Sequence, residues 1–116
     1  MSNFTFDVDA DGIALVTWDM ADRSMNVITM EVIAELAVIV EKVATDAAIK
    51  GAVVTSGKDA FCGGADLTML ERMGTIYASM TKNEGEEAAA GFVFEESRKL
   101  SQLYRRIETC GKPYPP

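Results

Sequence analysis

The sequence contains no histidine, and this absence limits the chemistry that the chain can perform. Without histidine there can be no Ser-His-Asp or Cys-His nucleophilic site, no HExxH zinc helix and no haem held by a histidine. Cysteine is also scarce, since Cys62 and Cys110 are the only two in the chain. Two thiols do not make a disulfide framework, and we expect both to be reduced.

Long hydrophobic runs and positive charge are scarce as well. Apolar runs such as Ile13–Val16 and Leu36–Val40 fall far short of the ~20 residues that a transmembrane helix needs. The net charge of −7 argues against a nucleic-acid surface. Residues 1–22 include no lysine or arginine, so the positive region that opens a secretory signal is missing. We therefore expect one soluble, acidic, cytoplasmic domain.

Two strand patterns open the chain. Residues 3–8 alternate polar and apolar side chains, and Gly12–Trp18 is apolar on both faces, which predicts a half-buried strand and a more central one. Turn residues between them predict a hairpin. Asp7–Gly12 also matches the first half of an EF-hand loop. Because Trp18 stands where that loop needs its bidentate glutamate, a solvated hairpin is favoured over a Ca²⁺ site.

A long helix and a third strand follow a loop at residues 19–28. Thr29 is the predicted N-cap, and apolar residues recur at helical spacing until an end near Thr45–Ala48. Residues 49–55 predict a short buried strand. The order strand, helix, strand predicts a right-handed crossover and a parallel pair of strands.

The second half of the chain is predicted to be helical. A short helix begins after Asp66 as its N-cap, and the small and polar residues of Gly74–Gly85 predict a mobile loop or a frayed helix. Apolar residues at helical spacing then predict a second long helix that ends near Cys110 and Gly111.

Phe61–Asp66, with the sequence Phe-Cys-Gly-Gly-Ala-Asp, is the strongest chemical feature. It lies between a parallel-type strand and a helix start, where open α/β sheets place ligand crevices. Consecutive glycines let a ligand approach the backbone, and a helix N-terminus offers N–H donors to a phosphate, a carboxylate or a developing oxyanion. The other interpretation is a tight turn capped by Asp66, and the spacing alone leaves both open.

The segment Gly57–Leu67 closely resembles the signature of the enoyl-CoA hydratase/isomerase (crotonase) family, in which a Phe, two small residues, Gly, Ala and Asp precede a helix. Residues 18–27 are similar to the hydratase module that opens multifunctional fatty-acid oxidation proteins, where a 3-hydroxyacyl-CoA dehydrogenase follows. Lys112-Pro113 matches the Lys-Pro that opens the next family strand. The resemblance implies an α/β fold in which residues 1–116 are the N-terminal part of a single crotonase-like (ββα) domain, apparently truncated.

The resemblance also implies roles for individual residues. Gly63 occupies the place of the family's first oxyanion-hole donor, whose backbone N–H polarises the thioester carbonyl of an acyl-CoA. Arg23 faces a CoA phosphate or is a solvated loop charge. The full set of residues implied to hold the CoA moiety is Arg23, Ser24, Met25, Gly64, Ala65 and Asp66.

The family's remaining machinery is expected to be missing from this chain. Its second oxyanion donor and its two catalytic glutamates lie downstream of the Lys-Pro strand, where this sequence has only three residues. Glu84, Glu86 and Glu87 are at the wrong position for that role, and a solvated helix start is favoured for them. By resemblance, the parent protein hydrates 2-trans-enoyl-CoA in fatty-acid β-oxidation, with isomerisation as a related activity, and this chain alone is inactive.

The resemblance also indicates which small molecules and partners to expect. Hydration needs no cofactor beyond the CoA of the substrate, and NAD enters only if a dehydrogenase region follows. No metal, nucleic acid or membrane span is expected, and the parent forms a homo-oligomer or a multienzyme complex. Two alternatives stay open, namely a non-catalytic acyl-CoA or nucleotide-binding module and an assembly fragment with an exposed sheet edge.

Three sulfur-containing side chains near the motif have two interpretations each. With no histidine partner, Cys62 is a small packed residue rather than a nucleophile. Met69 and Met73, one turn apart, line an acyl pocket or pack in an ordinary core.

Overall fold

A computed structural model describes residues 3–114 of the chain. Within this range it contains a sheet of three strands and three helices in the order ββαβαα. The elements are β1 (Phe4–Val8), β2 (Ile13–Trp18), α1 (Met30–Thr45), β3 (Gly51–Ser56), α2 (Leu67–Glu84) and α3 (Glu86–Thr109). No helix in the described range is long and apolar enough to cross a membrane.

The sheet has the order β1-β2-β3, and its pairings confirm the predicted hairpin and the predicted parallel pair. β1 runs antiparallel to β2 with Phe4 opposite Trp18, and β2 runs parallel to β3 with Trp18 opposite Ser56. In the hairpin turn, one carboxylate oxygen of Asp9 accepts hydrogen bonds from the N–H groups of Asp11 and Ile13. This aspartate therefore stabilises the turn itself.

Helix α1 begins where the sequence predicts. The Thr29 hydroxyl accepts a hydrogen bond of 3.1 Å from the Val32 N–H, as an N-cap should. The apolar face of α1 covers the sheet and contacts α3. The buried side chains on that face are Val32, Ile33, Val40 and Val43.

Trp18, at the end of β2, anchors the part of the core nearest to the Phe61–Asp66 segment. Its ring stacks on Phe4 with centroids 5.6 Å apart, and the ring of Phe61 meets it edge-on at 5.5 Å. Val16, Met20 and the other members of this cluster are almost completely buried. The core thus fixes the strand ends from which the loops of the candidate site emerge.

The prediction of a mobile loop or a frayed helix at Gly74–Gly85 is wrong. α2 continues as a regular helix to Glu84 and ends at Gly85, whose φ of 98° suits a helix terminus. Packing against α3 outweighs the weak helix propensity of the small residues. Two threonine hydroxyls, those of Thr75 and Thr81, also bond carbonyls four residues earlier instead of ending the helix. α3 ends close to the predicted position.

Lys112 and Pro113 return the chain to the sheet after α3. The Lys112 ammonium donates to the carbonyls of Val43 and Asp46 at 2.6 Å each, and so caps the carboxyl end of α1. The Pro113 carbonyl accepts a hydrogen bond of 3.0 Å from the Ala52 N–H of β3. Residue 113 therefore lies along the β3 edge, on the side away from β2.

Candidate functional site

The loops of the candidate site are organised around Asn26, which is completely buried. Its side-chain N–H groups lie within hydrogen-bond distance of the Trp18 carbonyl, the Ser56 hydroxyl and the Phe61 carbonyl, at 2.8, 3.0 and 3.1 Å. Its side-chain oxygen accepts a bond of 3.1 Å from the Met20 N–H. One amide thus joins the ends of β2 and β3 to both loops. The resemblance includes Asn26, but no sequence pattern indicated this role.

The Gly63–Asp66 turn runs beside the loop that precedes α1. Ile28 and Ala65 form an isolated parallel bridge in which the Ile28 N–H donates to the Gly64 carbonyl at 2.7 Å. The Ile28 carbonyl accepts from the Asp66 N–H at 2.8 Å. Gly64 has a φ of 93°, which an L side chain rarely adopts. The structure therefore brings the two predicted parts of the CoA site side by side.

The backbone N–H groups of this turn are mostly engaged within the chain. The Gly63 N–H donates to the Asn26 carbonyl at 2.7 Å, and the Gly64 N–H lies 3.2 Å from the Cys62 sulfur. The Asp66 N–H takes part in the bridge to Ile28. The expectation that the turn presents unpaired donors therefore needs correction. The neighbouring loop provides acceptors for two of the four N–H groups at residues 63–66, those of Gly63 and Asp66, and the Cys62 sulfur provides a third acceptor.

Gly63 is solvent-exposed and lies against Met25. A Cβ atom built on Gly63 would lie 2.5 Å from the Met25 sulfur, so glycine is the residue that fits without moving this side chain. The thioether belongs to a flexible side chain that is itself 45% exposed. The Met25 side chain therefore lies beside Gly63 and is free to move away from it. The neighbouring Ser24 is exposed, and no hydrogen bond of its side chain is described within residues 3–114.

Asp66 has two roles in the structure. One carboxylate oxygen accepts from the Met69 N–H at 3.2 Å, which confirms Asp66 as the N-cap of α2. The other lies 3.4 Å from the guanidinium of Arg23, whose side chain is 43% exposed. Arg23 therefore pairs with Asp66, and an ion pair this exposed contributes little to stability.

The two predicted methionines line a cleft beside this ion pair. The cleft has a volume of about 400 Å³ and lies between the loop before α1 and the helices α2 and α3. Met69 and Met73 form part of its wall together with Met20, Arg23 and Asp66. Cys62 packs against the Trp18 cluster, in agreement with a small packed residue.

Lys58 is a site residue that the sequence patterns did not single out. Its ammonium donates to the Asp19 carboxylate and to the carbonyls of Met20 and Arg23, all within 2.8 Å. These acceptors lie 35 to 39 residues earlier in the chain, so no local motif could have indicated them.

The acidic cluster at Glu84, Glu86 and Glu87 lies away from the turn. These residues are exposed at the junction of α2 and α3. Since α2 has 18 residues, its two ends are roughly 27 Å apart at 1.5 Å per residue. Within residues 3–114, no group of three or more His, Cys, Asp or Glu side chains is arranged to hold a metal ion.

Comparisons with known proteins indicate one family. Residues 9–113 match the family model described as enoyl-CoA hydratase/isomerase. The sequence is 42% identical over 62 residues to the fatty acid oxidation complex subunit alpha of Shewanella amazonensis, a match that covers 53% of this chain and 9% of that protein. The corresponding protein of Shewanella frigidimarina is 44% identical over 61 residues, with 52% and 9% covered. The chain therefore spans less than a tenth of the length of these curated relatives.

The fold is also found in solved structures. An enoyl-CoA hydratase from Shewanella pealeana superposes with a TM-score of 0.74 at 18% identity, covering 97% of this chain and 37% of that one. An enoyl-CoA hydratase/isomerase from Mycobacterium paratuberculosis gives a TM-score of 0.52 at 29% identity, covering 57% and 25%. The first likeness shows a shared fold over nearly all of this chain.

Proposed function

This chain belongs to the enoyl-CoA hydratase/isomerase family, and from that premise we propose that it forms part of the acyl-CoA site of an enoyl-CoA hydratase of fatty-acid β-oxidation. The observation that carries the proposal is the bridge between Ile28 and Ala65, which holds the glycine turn beside the loop of Arg23 and Met25. The curated relatives, named as subunits of a fatty acid oxidation complex, support the assignment to this process.

In the proposed reaction, the Gly63 N–H donates to the thioester carbonyl oxygen of a bound enoyl-CoA. Addition of water to the double bond places negative charge on that oxygen, and a donor fixed in advance stabilises it. Loss of one such donor typically costs about 2.7–4 kcal/mol of barrier. Because this N–H donates to the Asn26 carbonyl at 2.7 Å, the thioester oxygen must displace or share that bond. The exposure of Gly63 leaves the approach open once Met25 moves.

The residues around the turn are proposed to hold the rest of the ligand. Arg23 can exchange the Asp66 carboxylate for a CoA phosphate at small cost, since the ion pair is exposed and 3.4 Å long. We propose that the CoA moiety also contacts the neighbouring residues Ser24, Met25, Gly64 and Ala65. The methionine-lined cleft is proposed to receive the acyl chain, because flexible thioethers adapt to apolar ligands of varied shape.

Hydration also needs an acid/base pair to place water and to deliver its proton. Within residues 3–114, the carboxylate of the turn, Asp66, already caps α2 and pairs with Arg23, and the cluster of Glu84, Glu86 and Glu87 lies at the far end of α2. Glu96, which lines the cleft, pairs with Lys99. We therefore propose that these 116 residues bind acyl-CoA without hydrating it. Hydration requires no cofactor beyond the CoA of its substrate, and NAD would serve only a dehydrogenase region.

We further propose that the whole protein acts in the cytoplasm within a homo-oligomer or a multienzyme complex. Two features support assembly. β3 is an edge strand of the described sheet, and no side chain of α2, all of which is described, is buried. Leu67 and Leu70 on α2 are 75% and 49% exposed, and such apolar surface favours association. Light scattering of the protein over a range of concentrations would test whether it assembles. A mass that stays equal to that of one chain at every concentration would contradict the proposal.

The oxyanion-hole proposal is tested by infrared difference spectroscopy of crotonyl-CoA carrying ¹³C at the thioester carbonyl. We expect the carbonyl band to shift to lower frequency when the chain binds the ligand, since a hydrogen bond polarises the C=O group. An S-alkyl-CoA thioether of the same length, which has no carbonyl, should bind more weakly in calorimetry. Equal affinities and an unshifted band would contradict the role of Gly63. Hydration of crotonyl-CoA by the chain alone would contradict the proposed inactivity.

A further inference from the structure

The ammonium of Lys58 is saturated with acceptors from a single loop. It donates to Asp19 Oδ1 at 2.7 Å, to the Met20 carbonyl at 2.8 Å and to the Arg23 carbonyl at 2.7 Å. A lysine ammonium has three N–H donors, so all of them are used. The side chain is only 12% exposed. We refer to Lys58 and these three acceptors as the Lys58 clamp.

The chain around Lys58 is shaped to support this clamp. A Cβ atom on Gly57 would lie 2.6 Å from Asp19 Oδ2, so glycine at this position allows the carboxylate to approach the lysine. The Lys58 N–H donates to the Ser56 hydroxyl at 3.0 Å, and that hydroxyl also accepts from the Asn26 amide. The base of the clamp is therefore tied to the buried asparagine.

The clamped loop contains a residue in an unfavourable backbone conformation. Asp22 has a φ of 60°, in the left-handed region that residues other than glycine seldom adopt. The carbonyls of Met20 and Arg23, which Lys58 binds, lie on either side of this residue. Such a conformation persists only where the surroundings impose it, and the clamp does so from both sides.

The loop held by the Lys58 clamp contains two residues that contact the glycine turn. Directly after Asp22, the Arg23 side chain reaches Asp66 and the Met25 sulfur lies over Gly63. A ligand that meets a loop already ordered loses less conformational entropy on binding. We propose that Lys58 is a positioning residue that fixes residues 19–25 against the Gly63–Asp66 turn, and that acyl-CoA binds to this preformed arrangement. The identity of the ligand rests on the proposed function.

The variant Lys58→Met tests this role because it keeps the aliphatic stem and removes the three donors. We expect amide hydrogen exchange at residues 20–26 to accelerate about tenfold or more and the Kd for butyryl-CoA to rise by a similar factor, since the loop must then be ordered on binding. The matched control is Lys82→Met, because Lys82 is exposed near the end of α2 and no hydrogen bond or ion pair of its side chain is described within residues 3–114. This control should change neither the exchange nor the Kd.

A second variant distinguishes the effect of the clamp geometry from the effect of removing the lysine. Gly57→Ala keeps the ammonium but displaces the Asp19 carboxylate, so we expect an intermediate effect on the same two measurements. If Lys58→Met does not fold, Gly57→Ala and Asp19→Asn are measured in its place against the same criteria. Unchanged exchange at residues 20–26, or faster exchange with an unchanged Kd, overturns the positioning role. Absence of butyryl-CoA binding by the wild type contradicts the proposed function, while exchange alone then decides whether Lys58 orders the loop.

Discussion

The side-chain amide of Asn26 donates a 2.8 Å hydrogen bond to the carbonyl of Trp18, the last residue of β2. The same amide group reaches the Ser56 hydroxyl at the end of β3 and the Phe61 carbonyl in the following loop. The ends of two parallel strands and the loop that leads to the glycine turn are therefore held by one buried side chain. The geometry of the candidate site depends on this residue although it lies outside the turn.

Asn26→Ala should strongly destabilise the chain. The change leaves buried backbone groups without partners, each costing about 1–3 kcal/mol, and we expect a total loss of about 2–4 kcal/mol in the free energy of unfolding. Urea denaturation measures this loss. Asn83→Ala is the matched control, because Asn83 is exposed on α2 and has one side-chain hydrogen bond of 3.3 Å. A loss for Asn26→Ala as small as that of the control would contradict the role assigned here.

The helix caps and the hairpin, which the sequence predicted correctly, depend on residues close together in the chain. The cap at Thr29 joins residues three apart, and so does the cap at Asp66. The antiparallel pairing in the hairpin likewise follows from alternation and a short turn. Such features leave a local pattern because both partners lie within one or two turns of each other.

The contacts that define the site are instead long-range. The partners of Asn26 lie up to 35 residues away, and the acceptors of Lys58 lie up to 39 away. The resemblance located the glycine turn, but it could not show that the Gly63 N–H donates to the Asn26 carbonyl. α2 shows the same limit, since its packing on α3 overrides a weak local propensity.

Two glycine-to-alanine changes should have opposite effects. Gly64 has a φ of 93° and open space around its Cβ position, so alanine there strains the backbone without a steric clash. We expect a cost of about 1–2 kcal/mol. Gly74 lies inside α2 with similar open space and no positive φ, so alanine should stabilise by about 0.5–1 kcal/mol through helix propensity. The midpoints of urea denaturation compare the stabilities of the two variants with that of the wild type. If Gly64→Ala is more stable than the wild type, the turn adopts another conformation.

Tyr114→Phe should have its main effect on stability at alkaline pH. Within the described range, the buried Tyr114 hydroxyl has no hydrogen-bond partner, so its removal near pH 7 should be neutral or slightly stabilising. Burial, aided by the nearby Cys110, raises the pKa of Tyr114 to about 12. Since the folded state favours the protonated phenol, the wild type should lose stability as pH rises from about 10, the unfolded value, to about 12.

Two measurements between about pH 9 and pH 12, where phenols ionise, check this expectation. They are the tyrosinate absorbance and the free energy of unfolding, each followed for the wild type and for Tyr114→Phe. The wild type should show a late-titrating phenol that Tyr114→Phe lacks, together with a steeper fall in stability. Coincident stability profiles would mean that Tyr114 ionises equally in the folded and unfolded chains.

Arg106 and Glu41 should give the chain a pH-dependent link between α3 and α1. The guanidinium meets both carboxylate oxygens, at 2.6 and 3.3 Å, and this hydrogen bonding together with the positive charge lowers the pKa of Glu41. A lowered pKa stabilises the fold above the ordinary pKa of a glutamate, and this contribution is lost as pH falls through the folded value. Arg106→Gln should therefore return the pKa of Glu41 upward and flatten the acid side of the stability profile.

Carboxyl ¹³C titration of Glu41 by NMR reads this pKa directly. Arg98→Gln is a suitable control, because Arg98 pairs with Glu95 on its own helix and should leave the Glu41 titration unchanged. Since both partners are exposed to solvent, added salt should raise the pKa of Glu41 in the wild type and have little effect in Arg106→Gln. If the wild type and Arg106→Gln titrate alike at low salt, the two helices are not joined by this pair in solution, and their contact rests on the apolar packing of Leu103 against Val40.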